Sequence, residues 1–166
     1  AFEPAPDAVG ALREEYSDEV RVYVVGAALG DRSAAMTLNL HTKPKTNSLL
    51  PLHSEYKNAK LTGSVIVRCT TLDKFCAGEG IEEIDLLKID AQGFDLAVLQ
   101  GGKGLLEDGR VKVVYVEMNY RSYYVGQCYA DEISDLLTGY GFTFHGVAFP
   151  HGWRGKPAHA DGIFSL

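Results

Sequence analysis

The sequence predicts an α/β fold whose mostly parallel sheet ends in an antiparallel carboxyl-terminal edge. Residues 84–90 and 111–117 are short, nearly continuous apolar runs of the kind that form buried parallel strands. Between them, apolar residues recur at helical spacing from Phe94 to Leu105, and Asp108-Gly109 is a suitable turn to end the helix. A strand, a helix and a second strand in this order predict one parallel unit of such a sheet.

The first part of the chain fits the same alternation. Two prolines followed by Asp7 are favourable at the start of a helix, which we expect to run to about Tyr16. Residues 20–29 are rich in β-branched side chains and predict the next strand. A further helix is expected at residues 130–137.

Two strands without an intervening helix are predicted at the end of the chain. Residues 141–149 and 160–166 have the composition of strands, and the loop between them contains two prolines and two glycines. Because this connection is too short for a crossover helix, we expect the two strands to be antiparallel. They form the predicted edge of the sheet.

A long polar connection interrupts the alternation. Residues 36–40 and 65–69 are two predicted strands, and residues 41–63 between them are mostly polar. Connections of this length are often functional or mobile. The sequence therefore predicts an inserted hairpin that carries a long loop.

Composition limits the class of protein. The length of 166 residues fits a single domain, and the 16 basic residues are scattered among 22 acidic ones with a net charge of −6, which argues against nucleic acid as a partner. No apolar run reaches the roughly 20 residues that span a bilayer, and residues 1–4 lack the features of a signal peptide. We expect a cytoplasmic domain, with its oligomeric state open. Its three cysteines, without CxxC spacing, are expected to be reduced packing residues.

Polar residues lie where the predicted strands end, and ligands of open α/β sheets bind beyond the carboxyl ends of the strands. These residues are Glu3, Asp31, Asp90, Glu117 and Asn119. Several carboxylates around one crevice suit a ligand with hydroxyl groups and a positive centre, and an adenosyl cofactor with a sulfonium has both. For Glu3 alone, capping of the following helix is an alternative role.

Lys88 strengthens the case for Asp90. Alternation places both side chains on the same face of a strand that is otherwise apolar. A buried ammonium group without a partner is unfavourable, so we expect Lys88 to be buried against Asp90, Glu117 or Glu3. Such a pair can belong to a site or can serve only to align strands.

The turn after this strand and the long connection add further candidates. Gln92 and Gly93 lie at the predicted helix start, where glycine allows a ligand to approach free N–H groups. His53, in the polar connection, is the candidate general base, because a histidine in a flexible loop can close on a hydroxyl. Other candidates for a substrate pocket, each of which can instead be a packing residue, are Tyr120, Tyr123, Tyr124, His145, His151, Trp153 and His159.

These residues carry a family resemblance. Residues 84–101 read IDLLKIDAQGFDLAVLQG, which resembles the core motif of FkbM-type methyltransferases. Further family features occur in the expected order, namely residues 2–4 (FEP), 28–31 (ALGD), 48–51 (SLLP), 71–73 (TLD) and 116–119 (VEMN). The resemblance implies a class I, Rossmann-like methyltransferase fold and methyl transfer from S-adenosylmethionine to a hydroxyl of a sugar, polyketide or lipid-linked acceptor.

The resemblance also implies roles for single residues. Glu3 would hold the ribose, the Asp31 region would contact the adenine, and Asp90 would face the methionine end and the acceptor. Ala91, Gln92 and Gly93 complete the expected cofactor site, and Gln92 stands where many relatives have glutamate. Glu117, Asn119 and Tyr120 are the expected substrate residues.

The resemblance further implies a first strand and a glycine-rich loop upstream of residues 2–4, and both are absent from this chain. We therefore expect residues 1–166 to be a single methyltransferase domain that is truncated at its amino terminus. A strand lacking at the middle of a sheet would leave two strand edges unpaired.

Two alternative functions and a possible metal site stay open at the level of the sequence. One is a non-catalytic domain that has kept the fold for binding or assembly. Another is an NAD-dependent oxidoreductase, although no GxGxxG motif is present. No metal is required by the pattern, but the oxygen atoms of Asp90, Glu117 and Asn119 are of the kind that Mg²⁺ prefers.

Overall fold

The computed structural model describes residues 1–153 and 155–166, without the side chains of Trp153 and Lys156. The helices are α1 (Pro6–Glu15), α2 (Leu72–Glu79), α3 (Asp95–Gln100), α4 (Lys103–Glu107) and α5 (Ala130–Gly139), with a short 3-10 helix at Pro44–Thr46. The strands are β1 (Ala28–Leu29), β2 (Ala34–His41), β3 (Leu61–Thr70), β4 (Ile84–Ile89), β5 (Val111–Asn119), β6 (Thr143–Trp153) and β7 (Lys156–Ser165). The α/β class is therefore as predicted.

The strands form two mixed sheets rather than one mostly parallel sheet. One sheet has the order β1-β3-β2 and the other the order β4-β5-β7-β6. The pairs β4/β5 and β1/β3 are parallel, whereas the three other described pairs of strands are antiparallel. The prediction of a mostly parallel sheet is thus wrong in its proportions. The strand-helix-strand unit supplies one parallel pair, and the inserted hairpin and carboxyl-terminal strands supply the antiparallel ones.

The predicted strand at residues 20–29 is mostly wrong. Only Ala28–Leu29 forms a strand, with an isolated parallel bridge between Phe2 and Val25. Val20 is 95% exposed and Tyr23 68% exposed. A strand needs a partner backbone, and among the described residues only the first few offer one here: the Val25 N–H donates to the Ala1 carbonyl at 2.8 Å. β-branched composition alone does not create a strand.

The main core lies between the helices and one face of the second sheet. The β4 and β5 residues Leu87, Ile89, Val114 and Val116 pack there. Helices α3, α4 and α5 cover them with Val98, Leu99, Leu105, Leu106, Ile133 and Leu137. The three cysteines are free and buried, in agreement with their predicted packing role.

The predicted helix from Phe94 to Leu105 is divided at Gly101 and Gly102 into α3 and α4. The division occurs where the chain passes the backbone of Gly30. A Cβ atom on Gly101 would lie 2.0 Å from the Gly30 carbonyl oxygen, so only glycine fits this approach. The end of α4 at Glu107, before Gly109 with φ +67°, is as predicted.

The carboxyl-terminal strands are antiparallel, as predicted, but longer than expected. β6 and β7 continue through most of the predicted loop, with register shifts near Gly146 and His151. β7 also pairs with β5, which places Asp161 opposite Glu117. The antiparallel edge of the sheet is therefore β6, and β7 lies inside the sheet.

The inserted hairpin is also confirmed, because β2 and β3 pair along their length. Residues 41–60, called the insertion below, leave the end of β2 and return to β3. The insertion contacts the ends of the other sheet: the His53 N–H donates to the Tyr123 carbonyl and the Val125 N–H donates to the Pro51 carbonyl, both at 2.8 Å. Among the described residues, no helix is both long and apolar enough to cross a membrane.

Candidate active site

A crevice with a volume of about 650 Å³ lies between the amino-terminal residues and the carboxyl end of β4. Glu3 lines it from the amino-terminal segment, and Asp90, Ala91 and Gln92 line it from the end of β4. Ser48 lines it from the insertion. The structure thus brings together four residues that the sequence assigns to one cofactor site.

Glu3 combines its two possible roles. Its Oε1 atom accepts the N–H of Ala5 at 2.7 Å, directly before α1, so the residue does cap the start of that helix. Its Oε2 atom has no hydrogen-bond partner among the described residues, and the side chain lines the crevice. One carboxylate oxygen therefore positions the residue, and the other is available to a ligand.

The turn after β4 is closed by Asp95. This carboxylate is fully buried and accepts the N–H of Ala91 at 2.8 Å and that of Gly93 at 3.0 Å. Burial raises its pKa to about 6, against the lowering effect of the two N–H groups. Asp95 is not among the site residues predicted from the sequence. Its signal is a carboxylate two residues after a glycine at the first turn of a helix.

Gln92 links the turn to three other parts of the chain. It adopts φ +52°, which is uncommon for a residue other than glycine. Its Nε2 atom donates to Asp90 Oδ1 at 2.6 Å, and its Oε1 atom accepts the Tyr124 hydroxyl at 2.9 Å. Its carbonyl accepts the Ser48 hydroxyl at 2.7 Å. Gln92 therefore fixes the orientation of the Asp90 carboxylate.

Lys88 is not buried, contrary to the prediction. Its side chain is 55% exposed because β4 is an edge strand of its sheet. Its expected partner is correct, since Nζ lies 3.8 Å from Asp90 Oδ2. Nζ also lies 5.6 Å from the centre of the Tyr115 ring. An ion pair as exposed as this contributes little to stability, so Lys88 chiefly adds positive potential beside Asp90.

Similarity to known proteins identifies the family of this chain. A family model described as "Methyltransferase FkbM domain" matches residues 1–144. The chain belongs to the FkbM methyltransferase family. It is also 29% identical over 168 residues to a protein of Sinorhizobium fredii (strain NBRC 101917 / NGR234) named "2-O-methyltransferase NoeI". The aligned region covers 93% of this chain and 65% of that protein, and no solved structure matches the chain.

Membership of the FkbM methyltransferase family bears on the alternative of an oxidoreductase, whereas a non-catalytic domain of the same family stays open. This membership supports methyl transfer and gives no support to an NAD-dependent oxidoreductase. The region matched by the family model contains the predicted catalytic, cofactor and acceptor residues from Glu3 to Tyr120, whereas four of the further pocket candidates lie beyond it, namely His145, His151, Trp153 and His159.

Within this FkbM domain, the partly buried Glu117 and the buried Asn119 form a pair at the end of β5. Burial raises the pKa of Glu117 to about 7, with smaller effects in the same direction from Asp95 and Asp90. Asn119 Nδ2 donates to Glu117 Oε2 at 3.2 Å. Asn119 Oδ1 is buried and has no hydrogen-bond partner among the described residues. The pair does not line the crevice but interacts with its carboxylates electrostatically.

Three predicted residues lie outside the crevice. Asp31 is paired with Arg32 at 3.0 Å on the surface, although its neighbours Ala28 and Leu29 do line the crevice. Tyr120 is 44% exposed. Gly93 supports the turn from behind, because a Cβ atom there, at φ +89°, would lie 2.9 Å from the Tyr124 ring.

His53 lies in a different cavity from Asp90. It lines a cavity of about 370 Å³ between the insertion and the β2/β3 hairpin, which we call the insertion cavity. Its Nδ1 atom accepts the N–H of Glu55 at 3.3 Å. The structure therefore does not bring the two candidate proton acceptors together.

The predicted aromatic candidates separate into two groups. Tyr124 is buried, and its hydroxyl donates to the side chain of Gln92.

Tyr123 connects the insertion to β7. The Tyr123 ring meets the Tyr56 ring edge-on at 5.5 Å, and the Tyr123 hydroxyl lies 3.0 Å from His159 Nδ1. His151 stacks on His159 at 4.6 Å, and burial lowers the pKa of His159. His145 lies apart, 2.7 Å from the Ser165 hydroxyl, and the Trp153 side chain is outside the described part.

In the described residues, no group of three or more histidines, cysteines or carboxylates is arranged to hold a metal ion. The oxygen set of Asp90, Glu117 and Asn119 divides between the crevice surface and the buried end of β5.

Proposed function

We propose that this chain transfers a methyl group from S-adenosylmethionine to a hydroxyl oxygen of a small-molecule, glycan or lipid-linked acceptor. We further propose that its two sheets correspond to parts of a class I, Rossmann-like methyltransferase fold. The observation that carries the proposal is the convergence of Glu3, Asp90 and Gln92 on one crevice in a chain of the FkbM family.

The crevice fits a ligand of this size and charge. Its volume of about 650 Å³ lies within the roughly 300–1,000 Å³ of typical ligand pockets. Glu3 Oε2 can accept a ribose hydroxyl, and the Asp90 carboxylate can face a positively charged group. When bound, S-adenosylmethionine supplies an electrophilic methyl carbon on such a positively charged sulfur. Asp31, Ala91 and Gly93 are the further cofactor residues that we propose from the family resemblance.

Asp90 is our first candidate to take the proton from the acceptor hydroxyl. Gln92 holds its Oδ1 atom at 2.6 Å, which leaves Oδ2 as the oxygen facing Lys88 and the crevice. A carboxylate fixed in this way can orient a hydroxyl and receive its proton. Glu117, Asn119 and Tyr120 stay proposed acceptor residues, with the raised pKa of Glu117 as the support for a role in proton transfer.

His53 is the second candidate for the proton acceptor, and the two can be separated by substitution. We predict that Asp90→Asn lowers kcat by roughly 100-fold or more, which is typical for loss of a general base. His53→Asn should change kcat little, because His53 lines the insertion cavity. Formation of S-adenosylhomocysteine would be measured for both variants and the wild type. A large loss in His53→Asn with a small loss in Asp90→Asn would reverse the assignment.

Cofactor binding itself tests the proposal directly. Calorimetric titration with S-adenosylmethionine and S-adenosylhomocysteine should give saturable binding, and NAD should not bind. Glu3→Gln should weaken binding, while Glu14→Gln, on the exposed surface of α1, should not. Absence of binding by both sulfur compounds would favour a non-catalytic domain of the same family.

A further inference from the structure

The insertion has the opposite charge to the rest of the protein. Between residues 41 and 60, four lysines stand against a single glutamate, Glu55, which gives a formal charge of +3 in a chain of net charge −6. Two histidines, His41 and His53, lie in the same segment. A local concentration of positive charge on an acidic protein favours an anionic ligand.

Part of this charge faces the insertion cavity. Lys57 and Lys60 line the cavity together with His41, His53 and Tyr56. Its volume of about 370 Å³ is enough for a small substituent or a single sugar-sized group. None of its lining residues lines the crevice that contains Asp90.

The two cavity lysines have no carboxylate partner in the described part of the chain. The Lys57 ammonium donates to the Ser54 carbonyl, and no hydrogen bond or ion pair of the Lys60 ammonium is found there. By contrast, Lys88, Lys103 and Lys112 each form an ion pair with an acidic side chain. The positive charge at the cavity is therefore not neutralised by the protein.

His41 provides a polar group at the base of the cavity. The residue is only 5% exposed, yet it lines the cavity. Its Nδ1 atom lies 2.7 Å from the Thr46 carbonyl, which can only accept, so Nδ1 carries a hydrogen. Its Nε2 atom has no partner among the described residues. Among the described residues the unpartnered buried side-chain atom is Asn119 Oδ1, so His41 Nε2 is open to the cavity, where it is an acceptor in the neutral ring. His53 has the opposite arrangement: its Nδ1 atom accepts the Glu55 N–H, so Nε2 of the neutral ring carries the hydrogen and can donate to an anion.

A thin wall separates this cavity from the crevice. Asn39 lines the insertion cavity, Ser48 lines the crevice, and the two residues form an antiparallel bridge. Their backbones exchange hydrogen bonds of 2.8 and 3.2 Å. Bridged residues have Cα atoms about 5 Å apart. One acceptor molecule can therefore extend past this bridge and occupy both the insertion cavity and the crevice.

We propose that the insertion cavity binds an anionic group, a sulfate, phosphate or carboxylate, carried by the methyl acceptor. This inference rests on the proposed function, because it specifies the chemical class of the acceptor. Lys57 and Lys60 provide the charge, and His53 Nε2 provides a further hydrogen-bond donor. His41 Nε2 can accept a hydroxyl of the acceptor, and the crevice holds the reacting hydroxyl. Charge-assisted hydrogen bonds of this kind are stronger than neutral ones and discriminate against an uncharged analogue.

The test is a titration of the protein without cofactor, using inorganic phosphate, inorganic sulfate and acetate as probes, followed by ¹H–¹⁵N NMR. Binding should be saturable and should shift the amide signals of His41, Lys57 and Lys60. A second series compares glucose 6-phosphate, glucose 6-sulfate and glucuronate with glucose, which distinguishes the three sources of negative charge. Saturable binding of none of these anions would overturn the proposal.

Two variants make the test specific. The double substitution Lys57→Gln with Lys60→Gln should weaken binding of the best anion by about tenfold or more, as expected for loss of bonds to charged groups. Lys43→Gln removes a charge from the same insertion outside the cavity and should change binding less than about twofold. Equal weakening in both variants would show a diffuse charge effect and overturn the site.

Failure of this inference can be distinguished from failure of the proposed function. S-adenosylmethionine binding by the double variant should equal that of the wild type, because neither lysine lines the crevice. If the double variant does not fold, as judged by circular dichroism, the wild-type NMR shifts alone decide. Shifts confined to residues outside the insertion cavity would overturn the proposal.

Discussion

At the scale of single residues, the candidate site is a set of carboxylates in different environments. Asp90 is half exposed and held by Gln92, whereas Asp95 is fully buried behind the turn. Glu117 is partly buried at the end of the neighbouring strand. Because these groups repel each other, the protonation state of the buried members depends on the others.

The partly buried Glu117, with its raised pKa, should make stability depend on pH. Its folded-state pKa, about 7, is above the ordinary value of 4.5, so the folded protein retains a proton that the unfolded chain releases. The resulting stabilisation is complete at low pH and is lost as the pH rises through 7. We predict that Glu117→Gln, which cannot ionise, gains stability relative to wild type between pH 5 and pH 8, by on the order of 2 kcal/mol.

Urea denaturation of wild type and Glu117→Gln at these two pH values measures the difference. Glu82→Gln, a substitution of an exposed glutamate, is the control and should leave the pH dependence of wild type intact. Parallel pH profiles for wild type and Glu117→Gln would contradict the burial of an ionisable group at this position.

Gln92 should require a neutral, hydrogen-bonding side chain in this protein. Gln92→Glu would place a carboxylate at the position 2.6 Å from Asp90 Oδ1, and two adjacent carboxylates cannot both ionise without cost. We predict that this variant loses roughly 1–3 kcal/mol of stability at pH 8 and regains part of it at pH 5. Chemical denaturation at both pH values measures the effect.

Gln92→Met is the matched control, since it keeps the length of the side chain and adds no charge. It should lose the bonds to Asp90 and Tyr124 at every pH, with no recovery in acid. If both variants behave alike at the two pH values, charge repulsion is not the reason for glutamine here.

At the scale of elements, the helices and strands that depend on local sequence were mostly predicted correctly. The parallel pair β4/β5, helices α1 and α5 and the two antiparallel hairpins follow from periodicity and turn residues within each segment. The prediction of a strand was wrong for residues 20–24, because a strand depends on a partner elsewhere in the chain. Lys88 was predicted to be buried for the same reason: edge and central strands can have the same local sequence.

The candidate site could likewise be predicted only as far as local sequence determines it. Glu3, Asp90, Ala91 and Gln92 were expected at strand ends and do share one crevice. The hydrogen bonds that hold the turn after β4 could not be predicted from local sequence. Tyr124 bonds to Gln92 across 32 residues of sequence, and Ser48 bonds to it across 44. The separation of His53 from Asp90 likewise depends on how the insertion folds back.

The junction of α3 and α4 should tolerate no side chain. Gly101→Ala would place a Cβ atom 2.0 Å from the Gly30 carbonyl oxygen, so the helices must shift away from β1. We predict a loss of about 2 kcal/mol or more in unfolding free energy, as for overpacked positions. Gly10→Ala, in α1 with no neighbouring atom within 4 Å, should instead add about 0.5–1 kcal/mol.

Thermal unfolding of the two variants measures this contrast. Both add the same methyl group to a glycine in a helical region, so the sign of the change isolates the close contact. Equal changes in melting temperature would contradict the close approach of Gly101 to Gly30.

At the scale of the whole molecule, the crevice lies between two sheets that are otherwise connected by few elements. Glu3 belongs to the segment that pairs beside the first sheet, and Asp90 belongs to the end of β4 in the second. The insertion joins the same region through Ser48 and Gln92. A ligand in the crevice therefore contacts three parts of the chain that lie far apart in sequence.

This arrangement predicts that the cofactor stabilises both sides of the crevice together. At a concentration of 100 times its Kd, S-adenosylmethionine should add about 2.7 kcal/mol to the free energy of unfolding. Hydrogen exchange should slow in residues 1–4, 47–49 and 88–92, which line the crevice. Helix α5, none of whose residues lines the crevice, serves as the internal control and should be unchanged. Protection limited to a single one of these segments would show that the ligand does not bridge the sheets, and that the crevice is not the cofactor site.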